Sequence, residues 1–122
     1  KTADVLTAGS HGSTFGGNPA VCAGAEVVVD RLTDEFLDAV AAKGERVRKA
    51  LEGAAGISEI TGMGLMIGVR TARPVADVLA DLRSEGVLAL KAHDKLRLLP
   101  PLNISDELLD EAVEKIKKVC AK

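Results

Sequence analysis

The sequence has no tryptophan and no tyrosine, and its only aromatic side chains are Phe15 and Phe36. That leaves no platform on which nucleic-acid bases could stack. A dominant charge is lacking as well: 16 Lys+Arg stand against 18 Asp+Glu, a formal net charge of -2, and no basic run stands out. Nucleic acid and anionic membrane surfaces are therefore not expected partners. The apolar runs are too short to cross a bilayer, so no membrane span is expected. Nothing reads as a secretory signal, and the cytoplasm is the expected compartment. The two cysteines, Cys22 and Cys120, have no metal-ligand spacing. They are expected to be reduced core thiols, and no metal is expected. What the 122 residues do have is 47% hydrophobic and 28% charged side chains, the balance of one globular domain. The sequence opens at Lys1 without a methionine, so either a processed start or a piece of something longer is expected.

Gly9 to Gly17 (GSHGSTFGG) reads as a loop. Asn18-Pro19 reads as a helix start, because Asn accepts from the first free N–H groups and Pro forfeits no hydrogen bond there. From about Pro19 to Arg31 the helix carries Ala20, Val21, Cys22, Ala23, Ala25, Val27, Val28 and Val29, with Glu26 as the interruption. A helix apolar on most sides is expected to be buried on most sides. Thr33 reads as the next N-cap, with Asp34 and Glu35 in a first turn where the helix dipole favours them. Phe36, Leu37, Val40, Ala41, Val47 and Leu51 then mark an amphipathic helix from about Asp34 to Glu52, ended by Gly53 and Gly56.

Beyond that point the period shortens. Ile57 to Thr61 and Leu65 to Thr71 read as two strands joined through Gly62-Met63-Gly64, with Met63 and Met66 expected to fill gaps in the core. Pro74 opens a helix that stops at Gly86. Val87 to Leu90 and Lys95 to Leu99 read as a hairpin around Ala92-His93-Asp94, closed by Pro100-Pro101. Ser105 caps a last helix with Asp106 and Glu107 at its start and Lys115, Lys117, Lys118 and Lys122 towards its end, as the dipole favours. The order predicts an α+β fold: a small, mainly antiparallel sheet with helices packed on one face, preceded by an extra helix.

Two places carry chemistry. The glycine-rich loop runs into a helix N-terminus, which offers free N–H groups and a positive dipole end to a phosphate, and Ser13 and Thr14 add hydroxyl donors. Gly12 and Gly17 have the outer spacing of a P-loop, but Asn18-Pro19 stands where Lys-Ser/Thr is required. The second is Arg97. Alternation in Lys95-Leu96-Arg97-Leu98 places it opposite Leu96 and Leu98, near a strand end, where a guanidinium can hold a carboxylate by two parallel hydrogen bonds. The competing readings are a plain flexible connection and a solvated surface arginine. His11 could donate within the loop; His93 reads as a solvated turn residue.

The segment His11-Gly12-Ser13-Thr14-Phe15-Gly16-Gly17-Asn18-Pro19 resembles the HGSTFGGNP motif of class III (ornithine-type) aminotransferases. Gly62-Met63-Gly64-Leu65-Met66-Ile67-Gly68, Gly86-Val87-Leu88 and Leu96-Arg97-Leu98-Leu99-Pro100-Pro101-Leu102-Asn103-Ile104 agree with the same family along the rest of the chain. The resemblance implies a fold type I enzyme, with residues 1–32 the end of the large-domain segment and 33–122 the C-terminal small domain. It implies pyridoxal 5'-phosphate as cofactor. Thr14 would bind its phosphate across a homodimer interface, and Ser13 would lie at the substrate. Arg97 would pair with a substrate carboxylate or a gating glutamate. The substrates implied are N-acetylornithine, or a related ω-amine, and 2-oxoglutarate, in arginine biosynthesis. No lysine here stands in the setting of the family's cofactor-anchoring lysine, and the acid and aromatic that contact the ring have no counterpart. The chain alone is thus expected to have no catalytic residue and no activity. The alternative is a free-standing α+β ligand-binding or regulatory module whose glycine loop holds an anion.

Overall fold

The computed structural model describes Val5 and residues 7–122. The chain divides into two compact units, one ending at Thr33 and the other spanning Asp34–Lys122.

The first unit contains the helix α1 (Pro19–Val29). Asn18 caps it as expected: its side-chain oxygen accepts from the Val21 N–H at 3.1 Å, and its amide nitrogen donates to the Phe15 carbonyl at 2.8 Å. The expectation of burial fails, because no residue of α1 is buried. Among the described residues of this unit there is no second helix or strand against which an apolar surface could pack. Cys22 is accordingly exposed rather than a core thiol, whereas Cys120 is buried as expected.

The second unit opens with α2 (Asp34–Leu51), which buries Val40, Gly44, Val47 and Leu51. These four fall at three- and four-residue spacings, one stripe of the helix. Two strands follow, β1 (Ile57–Met63) and β2 (Met66–Thr71), paired antiparallel from Met63↔Met66 back to Ile57↔Thr71 with a bulge between Ile57 and Glu59. A third helix, α3 (Val75–Ser84), leads to β3 (Leu90–Ala92) and β4 (Lys95–Leu98), and α4 (Asp106–Cys120) closes the unit. Ser105 caps α4 through the Leu108 N–H. The sheet order is β1-β2-β4-β3, antiparallel throughout. Leu65, Ile67, Val69, Leu96 and Leu98 face inward and form the core with Val47, Leu51, Val78, Leu82, Leu109, Val113, Ile116 and Val119 of the helices. The fold is the expected α+β layer.

Three boundaries and side chains depart from expectation. Val87 to Ala89 are not strand, because Val87 closes the turn that follows α3. Its N–H reaches back to the Leu82 carbonyl at 2.8 Å while the Gly86 N–H bonds to Arg83. Gly86 takes φ 82° to allow this, the left-handed closure that glycine adopts freely. Met63 and Met66 are not core residues: they are 83% and 60% exposed. They pair with each other at the hairpin end, where Met66 alternates with the buried Ile67 and so faces the other way.

Candidate functional site

In the first unit the loop before α1 holds Ser13 and Thr14, both exposed. The Ser13 side chain lies over Gly16, where an added Cβ would stand 3.0 Å from its hydroxyl. Neither hydroxyl donates to an acceptor among the described residues, whereas Ser10 spends its own on the Thr7 carbonyl at 2.6 Å. The loop from Gly9 to Gly17 contains no acidic side chain. Two free hydroxyls, no repelling charge and the head of a helix suit an anion. His11 is exposed in the same loop.

In the second unit β4 presents Arg97 on the face of the sheet away from the helices, as its alternation with Leu96 and Leu98 predicts. Its row across the sheet is Thr61, Gly68, Arg97, Leu90. Arg97 Nε is buried and has no hydrogen-bond partner among the described residues. A desolvated N–H without an acceptor costs free energy that a bound anion would recover.

The neighbouring row is fully engaged. Glu59 Oε2 accepts from Arg70 Nε at 2.8 Å and lies 3.0 Å from Lys95 Nζ. Arg70 also pairs with Asp94, and Lys95 donates to Thr61 Oγ1 at 3.1 Å. Hydrogen bonds from Arg70, then Lys95, hold the Glu59 carboxyl below the usual carboxylate range. Arg70 does the same to Asp94. His93 occupies the two-residue turn between β3 and β4 with φ 54°, a conformation His tolerates better than most residues. Farther along the open face Met63, Met66 and Leu90 are exposed apolar side chains.

The two candidate positions thus lie in different units, Ser13 and Thr14 in the first and Arg97 in the second. Sequence reasoning missed the neighbours of Arg97. Alternation in Ser58-Glu59-Ile60-Thr61 and in Lys95-Leu96-Arg97 carries the signal for each strand separately, but the strand order that joins them does not follow from it. Among the described residues no group of His, Cys, Asp and Glu could hold a metal.

The family model for Aminotransferase class-III matches residues 1–120. The chain belongs to the class III aminotransferases. Among curated members of this family it is 46% identical over 121 residues to the acetylornithine aminotransferase of Haemophilus ducreyi, covering 98% of this chain and 31% of that one. Ornithine aminotransferase 2 of Staphylococcus aureus (strain N315) is 42% identical, over 95% of this chain and 30% of its own length. The ornithine aminotransferase from Toxoplasma gondii, a structure with partial occupancy of PLP at its active site, superposes with a TM-score of 0.76 at 37% identity. That match covers 97% of this chain and 30% of the other. This class III chain therefore spans about a third of the length of the relatives it matches.

Proposed function

We propose that this chain is the C-terminal part of a pyridoxal-phosphate-dependent aminotransferase of arginine biosynthesis. The enzyme moves the amino group of N-acetylornithine, or a related ω-amine, to 2-oxoglutarate and works as a cytoplasmic homodimer. The observation that carries the reading is Arg97, a guanidinium on the open sheet face whose buried Nε has no hydrogen-bond partner among the described residues. The division of the chain after Thr33 supports a large-domain segment ending near residue 32 and a small domain from residue 33.

The donors of the first unit fit the cofactor phosphate. Thr14 would hold it, in the neighbouring subunit, and Ser13 would lie against the substrate; their free hydroxyls and the acid-free loop support both roles. Bound pyridoxal phosphate supplies the electron sink for the amino-group transfer. The tasks left to this chain are binding and orientation. Thr14 donates one hydrogen bond to a charged acceptor. Arg97 grips a carboxylate through two parallel N–H bonds and so fixes the orientation of the substrate. None of the lysines present stands in the context of the family's covalent anchor, so the 122 residues alone are expected not to transaminate.

Two variants of the full-length enzyme test this. Thr14→Val removes a hydrogen bond to a charged group, worth roughly 1.5–3 kcal/mol, or about ten- to a hundred-fold in cofactor affinity. Apo-enzyme stability should hardly change. Arg97→Lys keeps the charge but loses the planar fork, and should lower kcat/KM about ten-fold or more for carboxylate substrates only. Unchanged cofactor affinity in the first variant removes Thr14 from the site. An equal fall for an analogue lacking the carboxylate removes Arg97.

A further inference from the structure

Three cations and two acids gather on the open face of the sheet: Arg70, Lys95 and Arg97 with Glu59 and Asp94. Four of them close a balanced network, Asp94–Arg70–Glu59–Lys95. Arg97 is left over, without an ion pair among the described residues. The path of Lys95 is unusual for its position. From β4 its stem crosses β2 to reach Glu59 and Thr61 on β1. It crosses at Gly68, where an added Cβ would stand 3.4 Å from Lys95 Cδ and 3.0 Å from Thr61 Oγ1. Lys95 and Arg97 are two residues apart on one strand face, about 7 Å along the strand. Released from β1, the Lys95 ammonium would lie within reach of whatever Arg97 holds.

We propose that Glu59 and Thr61 are specificity-determining positioning residues: they draw Lys95 across Gly68, so that this face offers Arg97 as its one cation without an ion pair among the described residues and takes its substrate by one carboxylate. The inference rests on the reading of Arg97 as a carboxylate receptor. Gly68 is the gap that makes the crossing possible, and the acids set its charge balance. With Glu59 neutralised, a second cation would stand beside Arg97 and a second carboxylate would find a partner.

The test is equilibrium binding to the full-length enzyme by calorimetry, with glutarate and pentanoate as probes of equal chain length. Glu59→Gln should tighten glutarate relative to pentanoate by about three- to ten-fold at low salt, and the gain should shrink at high salt as screening rises. Lys95→Met alone should give glutarate no gain, and Glu59→Gln/Lys95→Met should return the ratio to that of the parent. Gly68→Ala, which crowds the crossing without touching a charge, should shift the ratio in the same direction as Glu59→Gln. An unchanged ratio in Glu59→Gln, or a gain that persists in the double variant, overturns the proposal. Arg97→Lys separates the two readings. If it weakens pentanoate binding while Glu59→Gln leaves the ratio alone, the receptor stands and the sorting fails. If it leaves pentanoate untouched, the receptor itself fails.

Discussion

Substituting Gly44 by alanine tests how the sheet is seated on its helices. Glycine inside a helix ordinarily costs about 1 kcal/mol relative to alanine, so on propensity alone Gly44→Ala should stabilise α2. The structure reverses the sign. A Cβ on Gly44 would stand 2.2 Å from the carbonyl oxygen and 2.5 Å from the carbonyl carbon of Gly64, in the turn between β1 and β2. These are backbone atoms, so relief requires the hairpin to move as a body. Over-packing a core costs about 1–3 kcal/mol even where side chains can yield. With backbone in the way the upper part of that range, about 2–3 kcal/mol, applies, and the propensity gain of about 1 kcal/mol leaves a net loss of about 1–2 kcal/mol. For a unit of this size each kcal/mol lowers Tm by about 4–8 °C, so a fall of roughly 5–15 °C is expected. Urea and thermal unfolding of the 122-residue chain, followed by circular dichroism, measure it. An unchanged or raised midpoint in Gly44→Ala would show that α2 and the hairpin do not make this contact and would refute the reasoning.

Three further outcomes are expected. Cys22 is exposed and Cys120 buried, with burial pushing the Cys120 thiol up; a thiol reagent at neutral pH should therefore label Cys22 quickly and Cys120 only on unfolding, and equal rates would contradict the placement. Glu59, Asp81, Glu85 and Asp94 have carboxyls held below their ordinary range by the cations bonded to them. Their contribution is present above the unfolded-state pKa and is lost as pH falls through the lower folded value, so the urea midpoint should be level from neutrality to about pH 5 and decline below about pH 4. A level midpoint down to pH 3 would count against these pairs. Leu96→Ala, at a fully buried position of a central strand, should cost about 2–5 kcal/mol, read as a lower urea midpoint at constant m; a loss under 1 kcal/mol would mean that the sheet does not pack as described.

The parts of the fold legible in the sequence are those governed by local rules. Asn18 and Ser105 cap the helices they precede, and the apolar stripe of α2 lies where its spacing puts it. Arg97 opposes Leu96 and Leu98 because a strand alternates. Where residue type alone is the guide to position, reading fails. The apolar composition of α1 signals a preference for burial but does not supply the surface that would satisfy it. Val87 satisfies strand propensity, yet its N–H closes α3 instead. Met63 and Met66 look like core by type and lie on the open face by register. At the candidate site the same division holds. Ser13, Thr14 and Arg97 could be singled out from motif and alternation. Glu59, Thr61 and Lys95 could not be joined, since their contact depends on β2 lying between β1 and β4.

That strand order gives the sheet a seam. Each outer pair, β1 with β2 and β3 with β4, is a hairpin that can form from neighbouring chain. The bond between the hairpins is the short run Ile67↔Leu98, Gly68↔Arg97 and Val69↔Leu96, closed across the intervening α3. Non-local pairings of this kind incur loop-closure entropy before contacts reward them, so their joining falls late in folding. Glu59, Thr61 and Gly68 sit on one hairpin and Lys95 and Arg97 on the other. The charge arrangement around Arg97 therefore exists only once the seam has closed. Opening the seam abolishes it at a stroke, and a ligand that requires the arrangement acts, from the standpoint of folding, as a clamp holding two hairpins together.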